Sequence, residues 1–264
     1  MAADVYRIQK TTLDAIGDSI RAKTGKSALI PPDDMPEEIE SISGGTEITD
    51  GIVVKARDAN GYATSATLYG STVYPDQFWN RTTSDGTWIH LETLLFHDVV
   101  TLIKGTSLKN CGSLQALDFS HVQKIENSAF MECRSLVNAD MPELTSIGQF
   151  AFATCVALQT VNAPKCTNFN SQRIFSGCMA LTSVTLGSIG HGITGIQNQT
   201  FLSCSQTGMT ITIYTTGSYA DTAVANTRNG ATNATIIIKA AEATTYNGTT
   251  YAAGDTILTS EVVS

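Results

Sequence analysis

Isoleucine, phenylalanine and cysteine recur at a fixed interval in the middle of the chain. The pattern is clearest where one set reappears 22 positions later: Ile125, Phe130 and Cys133, then Ile147, Phe152 and Cys155. Extending the match gives five units, which begin at Leu91, Ser113, Ser135, Ala157 and Ala180. Their cysteines are 22, 22, 23 and 26 residues apart. A period in the twenties is typical of a solenoid, in which each unit buries its apolar face against the next.

Each unit contains two patterns of apolar residues. The first part alternates with a period of two, as in Leu117-Asp118-Phe119, which predicts a short strand with one buried face. The second part spaces Phe and Cys three residues apart, which predicts that both lie on one side of a helical turn. Stacked at about 4.8 Å per unit, the strands would form a parallel sheet on one side of the coil, and the turns would form the other.

The five repeat cysteines could indicate a metal site, disulfide bonds or a packing rule. The sequence has no CxxC pair, and its four histidines do not follow the repeat, so we expect no metal site. Disulfide bonds between units would leave one of the five cysteines over and would make the units unequal. We therefore predict free cysteines that fill the same interior position in every unit.

The units read L-x-x-[LVA]-x-[FMAL], then an apolar residue, then [AST]-F-x-x-C or a close variant, as in Ala129–Cys133 and Ala151–Cys155. This pattern resembles the BspA type, or Treponema pallidum type, of leucine-rich repeat, found in bacterial surface proteins and phage proteins. The resemblance covers residues 91–205. It implies a β-rich α+β fold, a leucine-rich-repeat solenoid of about five units of 22–26 residues. Leu108 replaces Phe in the first unit, and the last two units carry extra residues, which predicts bulges on the turn side.

The N-terminal part predicts two short helices within residues 11–43. Its "DSIRAKTG" (18–25) and "PDDMPEEI" (32–39) resemble the N-terminal helical segment in tail and baseplate proteins of phages of Gram-positive hosts. The resemblance implies a docking or assembly segment over residues 1–46. The apolar residues that would dock are Leu13, Ile16, Ile20, Met35 and Ile39. An ordinary helical cap is the alternative.

The flanks of the repeats predict β-rich caps. Residues 47–90 contain two strand-like runs around Asn60-Gly61, a favoured hairpin turn, followed by a degenerate unit. The aromatic residues of this cap are expected in the core, with an aromatic contact surface as the alternative: Tyr62, Tyr69, Tyr74, Trp79 and Trp88. Residues 206–264 contain "MTITIY" and "ATIIIKA" around an alanine-rich segment, then a second Asn-Gly hairpin signal. Such a unit closes the far end of a solenoid.

Composition narrows the range of partners. Lys and Arg number 16 against 24 Asp and Glu, a net charge of -8, which argues against nucleic acid or an anionic membrane as the main partner. No apolar run is long enough to insert into a membrane. The first residues lack the pattern of a signal peptide, so we expect a cytosolic protein or one released by a route other than secretion.

The most site-like feature lies on the predicted sheet. The sequence shows no paired carboxylates or Ser-His-Asp arrangement, so we expect no enzyme and no cofactor. Residues between the inward positions of each strand should face solvent in two columns: Thr93, Ala116, Asn138, Thr160 and Ser183, and Leu95, Asp118, Asp140, Asn162 and Thr185. Asp118 directly beside Asp140 would be unfavourable without a counter-ion. Our hypothesis is that Asp118, Asn138, Asp140, Thr160 and Asn162 contact a glycan or a cation on a host surface; a plain solvated face is the alternative.

These observations together predict a non-enzymatic phage tail or baseplate protein, of fibre or receptor-binding type. It would attach to the virion by its N-terminus and meet the host surface through its repeats. Its partners would be other tail or baseplate proteins and a host glycan or protein, and the resemblance implies a homo-oligomer, commonly a trimer. The alternative is a bacterial cell-surface leucine-rich-repeat adhesin, which would need an export route.

Overall fold

A computed structural model describes residues 48–49, 51–78, 88–168, 172–187, 199–204, 208–231 and 233–260. The predicted N-terminal helices lie outside these ranges, together with their docking residues Leu13, Ile16, Ile20, Met35 and Ile39. Trp79 and residues 188–198 of the longest repeat unit also lie outside them. The described residues form the solenoid and its two ends.

Short strands dominate the described residues. In chain order they are β1 (Ile48–Thr49), β2 (Ile52–Arg57), β3 (Ala63–Leu68), β4 (Thr72–Val73), β5 (Thr93–Phe96), β6 (Leu102–Ile103), β7 (Lys124–Ile125), β8 (Asn138–Asp140), β9 (Ser146–Ile147), β10 (Thr160–Ala163), β11 (Ser183–Leu186), β12 (Thr210–Thr215), β13 (Thr235–Ala240), β14 (Thr244–Tyr246), β15 (Thr249–Tyr251) and β16 (Thr256–Ser260). The described part of the chain has one α-helix, α1 (Ala220–Gly230), and short 3-10 turns at Pro75–Gln77 and Gly217–Tyr219. None of its helices is long and apolar enough to cross a membrane.

One side of the solenoid is a ladder of parallel strands, which we call the first ladder. It runs from β3 to β5, then through a bridge between Thr93 and Ala116. It continues through β8, β10, β11, β12 and β13, all parallel. The predicted stack of parallel strands is therefore confirmed, and it extends beyond residues 91–205 at both ends.

A second parallel ladder, which the sequence did not predict, is formed by β4, β6, β7 and β9. A bridge from Ser146 to Asn168 continues it. Its inward residues are the single apolar residues that follow each first strand: Val73, Ile103, Ile125 and Ile147, all buried. A coil therefore passes through the first ladder, then the second ladder, and then a turn. The core is enclosed by the two ladders and the stack of turns.

The turn that carries Phe and Cys differs from the predicted helical turn. It is a run of hydrogen-bonded turns, in which alternate N–H groups bond within the coil and to the next coil. For example, Cys133 N–H donates to Phe130 O at 3.1 Å, and Phe130 N–H donates to Ala151 O at 2.8 Å. Two residues per turn, four apart, have φ between 56° and 76°: Thr106 and Asn110, Ser128 and Glu132, Phe150 and Thr154, Arg173 and Gly177, Gln199 and Ser203. This left-handed geometry cannot continue as an α-helix.

The repeated phenylalanines form a stack inside the turn side. Ring centroids of Phe130 and Phe152 are 5.1 Å apart, those of Phe152 and Phe175 are 5.9 Å apart, and Phe201 follows at 5.6 Å. The planes of neighbouring rings differ by only 4° to 18°. All four rings are fully buried, so each contributes about 1.5–3 kcal/mol of hydrophobic stabilisation.

The repeat cysteines are free, as predicted, and all except the half-buried Cys204 are buried. They also have a role that the sequence did not reveal. In four of the five, the thiol donates to the carbonyl of the Phe position one coil earlier; Cys155 Sγ to Phe130 O, for example, is 3.1 Å. The same contact joins Cys133 to Leu108, Cys178 to Phe152 and Cys204 to Phe175, at 3.0–3.1 Å. The cysteine therefore both fills the interior and ties successive coils together.

The two ends are closed by antiparallel strands. At the N-terminal end β1 pairs with β2 and β2 with β3, and the predicted hairpin at Asn60-Gly61 joins β2 to β3. Asp58 Oδ1 accepts the N–H groups of Asn60 and Tyr62 in that turn. At the C-terminal end β16 pairs antiparallel with β13, and β14 and β15 form the second predicted hairpin. The alanine-rich segment between β12 and β13 is α1, flanked by strands as predicted.

Candidate binding surface

The outward residues of the first ladder form two straight columns, as the sequence predicts. Strand pairing aligns Asn138, Thr160 and Ser183 in one column and Asp140, Asn162 and Thr185 in the other. The ladder continues both columns, the first with Thr210 and Thr235 and the second with Thr212. Thr93, Ala116 and Leu95 begin them at the N-terminal end. We call this surface the ladder face.

The polar side chains of the ladder face bond to one another along the columns. Thr160 Oγ1 donates to Asn138 Oδ1 at 2.7 Å, and Asn162 Nδ2 donates to Asp140 Oδ1 at 2.8 Å. All four residues remain exposed to solvent. The Asp140 carboxylate is therefore stabilised by the neighbouring amide on its own face, and no counter-ion is required at that position.

Asp118 belongs to a coil that joins the first ladder only through the bridge at Ala116. It lies outside the paired strands, so the predicted unfavourable pair with Asp140 is not part of the ladder. Its Oδ1 accepts the N–H of Ser120 at 2.9 Å. That hydrogen bond, with a smaller contribution from the charge of His121, holds the pKa of the Asp118 carboxyl below its ordinary value. The geometry of the other four predicted site residues is as expected, while Asp118 belongs to a neighbouring loop.

A cleft of about 210 Å³ lies beside Asp118, at the N-terminal end of the ladder face. Phe96, Val99 and His121 are among the residues that line it. Val99 is 55% exposed, and Leu95 in the adjacent column is 54% exposed. This end of the ladder face thus combines exposed apolar side chains with aspartate and histidine side chains. The rest of the ladder face carries mainly hydroxyl and amide groups.

The aromatic residues of the N-terminal cap divide between core and surface. Trp88 is buried, as predicted. Tyr74 is 43% exposed, so it does not belong to the core. Tyr69 stacks on His97 with ring centroids 4.3 Å apart, and Tyr62 packs against His90 at 4.7 Å. These tyrosines are half-buried and serve to hold the loops that precede and follow β5.

The pKa shifts resolved among the described residues do not favour acid–base or nucleophilic chemistry at those groups. The resolved pKa shifts of carboxyl groups, at Asp58, Asp118 and Glu126, are all downward. A general acid needs the opposite shift, towards the operating pH. Burial raises the pKa of the Cys166 thiol to about 12 and of the Cys204 thiol to about 11, which makes them poor nucleophiles. No group of three or more His, Cys, Asp or Glu within the described ranges could hold a metal ion.

Sequence reasoning missed the outer face of the second ladder. There, Lys124, Ser146 and Asn168 form a solvent-facing column on successive coils. The signal was present in the sequence, because the residues that precede the recurrent Ile125 and Ile147 must alternate with them and point outward. Two strand residues per coil were too few to indicate a sheet without the structure.

Most of the solenoid matches a known family of repeats. Residues 101–229 match the model of the BspA type leucine rich repeat region, in six copies. The match spans a little under half of the chain and includes β6 to β12 and most of α1. The predicted β-rich leucine-rich-repeat solenoid is confirmed.

Two solved structures resemble the chain at low identity. A leucine rich cell surface protein from Faecalibacterium prausnitzii A2-165 is 15% identical, over 66% of this chain and 73% of its own, with a TM-score of 0.36. A leucine-rich repeat protein from Bacteroides ovatus ATCC 8483 is 16% identical, over 64% of this chain and 55% of its own, with a TM-score of 0.38. This chain thus spans little more than half the length of the second protein. No curated protein matches the chain.

Proposed function

We propose that this protein is a surface-displayed, non-enzymatic binding protein of the adhesin type, which contacts a glycan or a protein on another surface through its ladder face. The observation that carries the proposal is the pair of columns of exposed hydroxyl and amide groups on the BspA-type repeats. The columns present hydrogen-bond donors and acceptors at about 4.8 Å intervals, set by the spacing of strands.

The rigidity of the ladder face favours binding. Each outward residue lies on a strand whose inward neighbours, such as Ala139, Val161 and Val184, are buried in a continuous core. The bonds from Thr160 to Asn138 and from Asn162 to Asp140 fix side-chain rotamers before a partner arrives. Side chains that are already ordered lose less conformational entropy on binding, so weak polar contacts contribute more to affinity.

Display on a bacterial cell is supported by the repeat type, since BspA-type repeats occur in bacterial surface proteins. The low charge of the ladder face agrees with a partner recognised by hydrogen bonding rather than by long-range attraction. Among its outward residues from Thr93 to Thr235, the one carboxylate of the paired strands is Asp140, which is bonded to Asn162. Uncharged hydroxyl and amide groups match the hydroxyls of a glycan or the polar groups of a protein surface.

A phage tail or baseplate protein is the second candidate. The observation that favours it is the likeness of residues 18–25 and 32–39 to the N-terminal segment of phage tail proteins. In that case the ladder face would meet the host cell, and Leu13, Ile16, Ile20, Met35 and Ile39 would dock to other tail or baseplate proteins. The protein would then be part of a virion and a homo-oligomer, with three chains as the first possibility to test.

The binding proposal is tested with a variant that removes the polar groups and keeps the fold. Asn138→Ala, Thr160→Ala and Asn162→Ala together should weaken binding to bacterial cells and to a glycan array by about tenfold or more, because each lost hydrogen bond costs about 0.5–1.5 kcal/mol. The control replaces Thr245 and Thr250, which are exposed on the β14–β15 hairpin, with alanine. Equal binding by the triple variant and the control would refute the role of the ladder face.

The bacterial adhesin and the phage tail protein differ in where the protein is displayed and in how many chains assemble. Antibody labelling of producing cells and of purified virions shows which of them displays the protein. Light scattering after size-exclusion chromatography gives the number of chains. Labelled cell envelopes with no labelled virions support the adhesin, and labelled virion tails support the phage protein.

A further inference from the structure

A groove of about 390 Å³ lies on the outer face of the second ladder. Its volume is within the range of about 300–1,000 Å³ in which small-molecule sites fall. The side chains that border it are Lys124, Glu126, Asn127, Ser146 and Asn168. It is separate from the ladder face, because it is built on β7 and β9 rather than on β8 and β10.

The floor of the groove includes a position where the chain packs too closely for a side chain. Gly148 follows Ile147 as Glu126 follows Ile125, and the two isoleucines are paired in the ladder. A Cβ at Gly148 would lie 2.5 Å from the backbone N of Asn127, so only glycine fits there. The floor beside Glu126 is consequently bare backbone.

The groups around the groove are fixed in place by their own hydrogen bonds. Glu126 Oε2 accepts the N–H of Gly105 at 3.2 Å, and its Oε1 lies 3.2 Å from Lys124 Nζ and 3.6 Å from Lys104 Nζ. Partial burial alone would raise the pKa of Glu126, but these three partners hold it below the ordinary value, so the carboxylate is charged at neutral pH. Asn127 Oδ1 accepts the N–H of Gln149 at 2.9 Å, which orients the amide and leaves its NH₂ group as a donor.

The chemistry of the border selects the class of ligand. It offers donors from Lys124, Asn127 and Asn168 and acceptors from Glu126, Ser146 and Asn168, so a ligand must supply both. Within the border the charges of Lys124 and Glu126 balance at 3.2 Å, and Lys104, which lies 3.6 Å from the same carboxylate, is not among the lining residues. The side chains of Ile125 and Ile147 are buried, which leaves no exposed apolar side chain in the border. An apolar ligand would gain nothing here.

We infer that this groove binds a neutral sugar residue, whose hydroxyl groups both donate and accept, through Lys124, Glu126, Ser146 and Asn168. The column of Lys124, Ser146 and Asn168 would contact hydroxyls along one edge of the ring, and Glu126 would accept from the other. The inference does not depend on the ladder face, which lies on the other ladder.

The test follows amide signals of the full-length, ¹⁵N-labelled protein by NMR. The probes are the methyl glycosides of glucose, galactose, mannose and N-acetylglucosamine, with inorganic phosphate and glucuronate as charged comparisons. At least one neutral glycoside should shift the backbone signals of Gly105 and Gly148 and the side-chain amide signals of Asn127 and Asn168. Asn168→Ala should weaken that glycoside by about three- to tenfold, the value of one hydrogen bond.

The control is Thr250→Ala, which removes an exposed polar group from the β14–β15 hairpin, outside both the groove and the ladder face, and should leave the affinity unchanged. Ser146→Phe, at a half-exposed outward position, should fill the groove and abolish the shifts, and its melting temperature shows whether it folds. The inference is overturned if no neutral glycoside shifts these signals, if Asn168→Ala and Thr250→Ala act alike, or if phosphate or glucuronate binds more tightly. If the glycosides cause no shifts in the groove while the protein still binds cells, this inference alone is refuted. The cell binding of the ladder-face triple variant tests only the proposed function.

Discussion

Truncating Phe152 should produce one of the largest losses of stability available in this solenoid. Phe152 is fully buried, and its ring contacts Phe130 at 5.1 Å with planes 4° apart and Phe175 at 5.9 Å. Phe→Ala in a core costs about 3–5 kcal/mol, since the cavity left behind adds to the lost hydrophobic burial. The two lost ring pairs contribute about 0.5–1.5 kcal/mol each beyond that burial, which places the expected cost at the upper end of the range.

Phe152→Leu provides the matched comparison, because the first repeat unit already carries Leu108 at this position, fully buried. Leucine keeps most of the apolar volume and loses the ring pairs, so its cost should be about 1–2 kcal/mol. Urea unfolding followed by far-UV circular dichroism gives both values, and thermal melting should show a decrease of about 10 °C for the alanine variant.

The outcome depends on the phenylalanine stack being tightly packed from coil to coil. A cost below about 2 kcal/mol for Phe152→Ala would mean that neighbouring coils collapse into the space, in contrast to the poorly relaxing cores from which the larger values come. Equal costs for alanine and leucine would mean that volume is irrelevant at this position. Either result would refute the view that the recurring phenylalanine sets the packing of successive coils.

Three further predictions follow from the same geometry. Gly148→Ala should cost several kcal/mol in urea unfolding, because its Cβ would lie 2.5 Å from a backbone atom, whereas Gly105→Ala, with its nearest contact at 3.1 Å, should cost much less. A thiol reagent at neutral pH should modify the half-buried Cys204 first and Cys155 only as fast as the protein opens, measured by mass spectrometry. The pKa of Glu126 lies below its ordinary 4.5, so its stabilisation is present above pH 4.5 and is lost as the pH falls through the lowered pKa; Glu126→Gln should flatten acid unfolding in that window.

The core of the repeats was predictable because its rule is visible in every unit. One interior position per coil requires Phe, another requires Cys, and stacking repeats the requirement at a fixed interval. The first-ladder strands were predictable for the same reason, since alternation with a period of two is visible in "TVNA" and "SVTL". The Asn60-Gly61 hairpin was predictable from its turn residues.

The turn side of the repeats was predicted incorrectly because its conformation depends on the backbone and not on the pattern of apolar residues. Phe and Cys three apart fit a helical turn and a run of tight turns equally well, and only the left-handed φ values at Ser128 and Glu132 separate the two. These are ordinary L-residues in a conformation that usually favours glycine, so their residue types do not predict the left-handed backbone. Gly177 occupies the same position as Glu132 in a later coil and is the one glycine that hints at it.

The candidate site was partly predictable, because strand alternation determines which residues face solvent. Asn138, Asp140, Thr160 and Asn162 lie where the period of two places them. The coil of Asp118 forms a single bridge at Ala116 instead of a strand, so strand pairing does not set the position of Asp118. The groove on the second ladder was not predictable, since the sequence did not indicate that ladder and the lining joins residues of successive coils, from Gly105 to Asn168.

The architecture separates the residues that determine stability from those available for recognition. In β10, Val161 and Ala163 are buried while Thr160 and Asn162 are exposed, and the same division recurs in β8 and β11. Exposed positions on a sheet with an intact core tolerate change at small cost, usually within about 0.5 kcal/mol. The ladder face can therefore change its chemistry coil by coil while Phe, Cys and Ile keep the coils stacked. If so, the triple alanine variant should melt close to the wild-type temperature and still lose its partner, and a variant that loses both would place the outward columns among the stabilising residues instead.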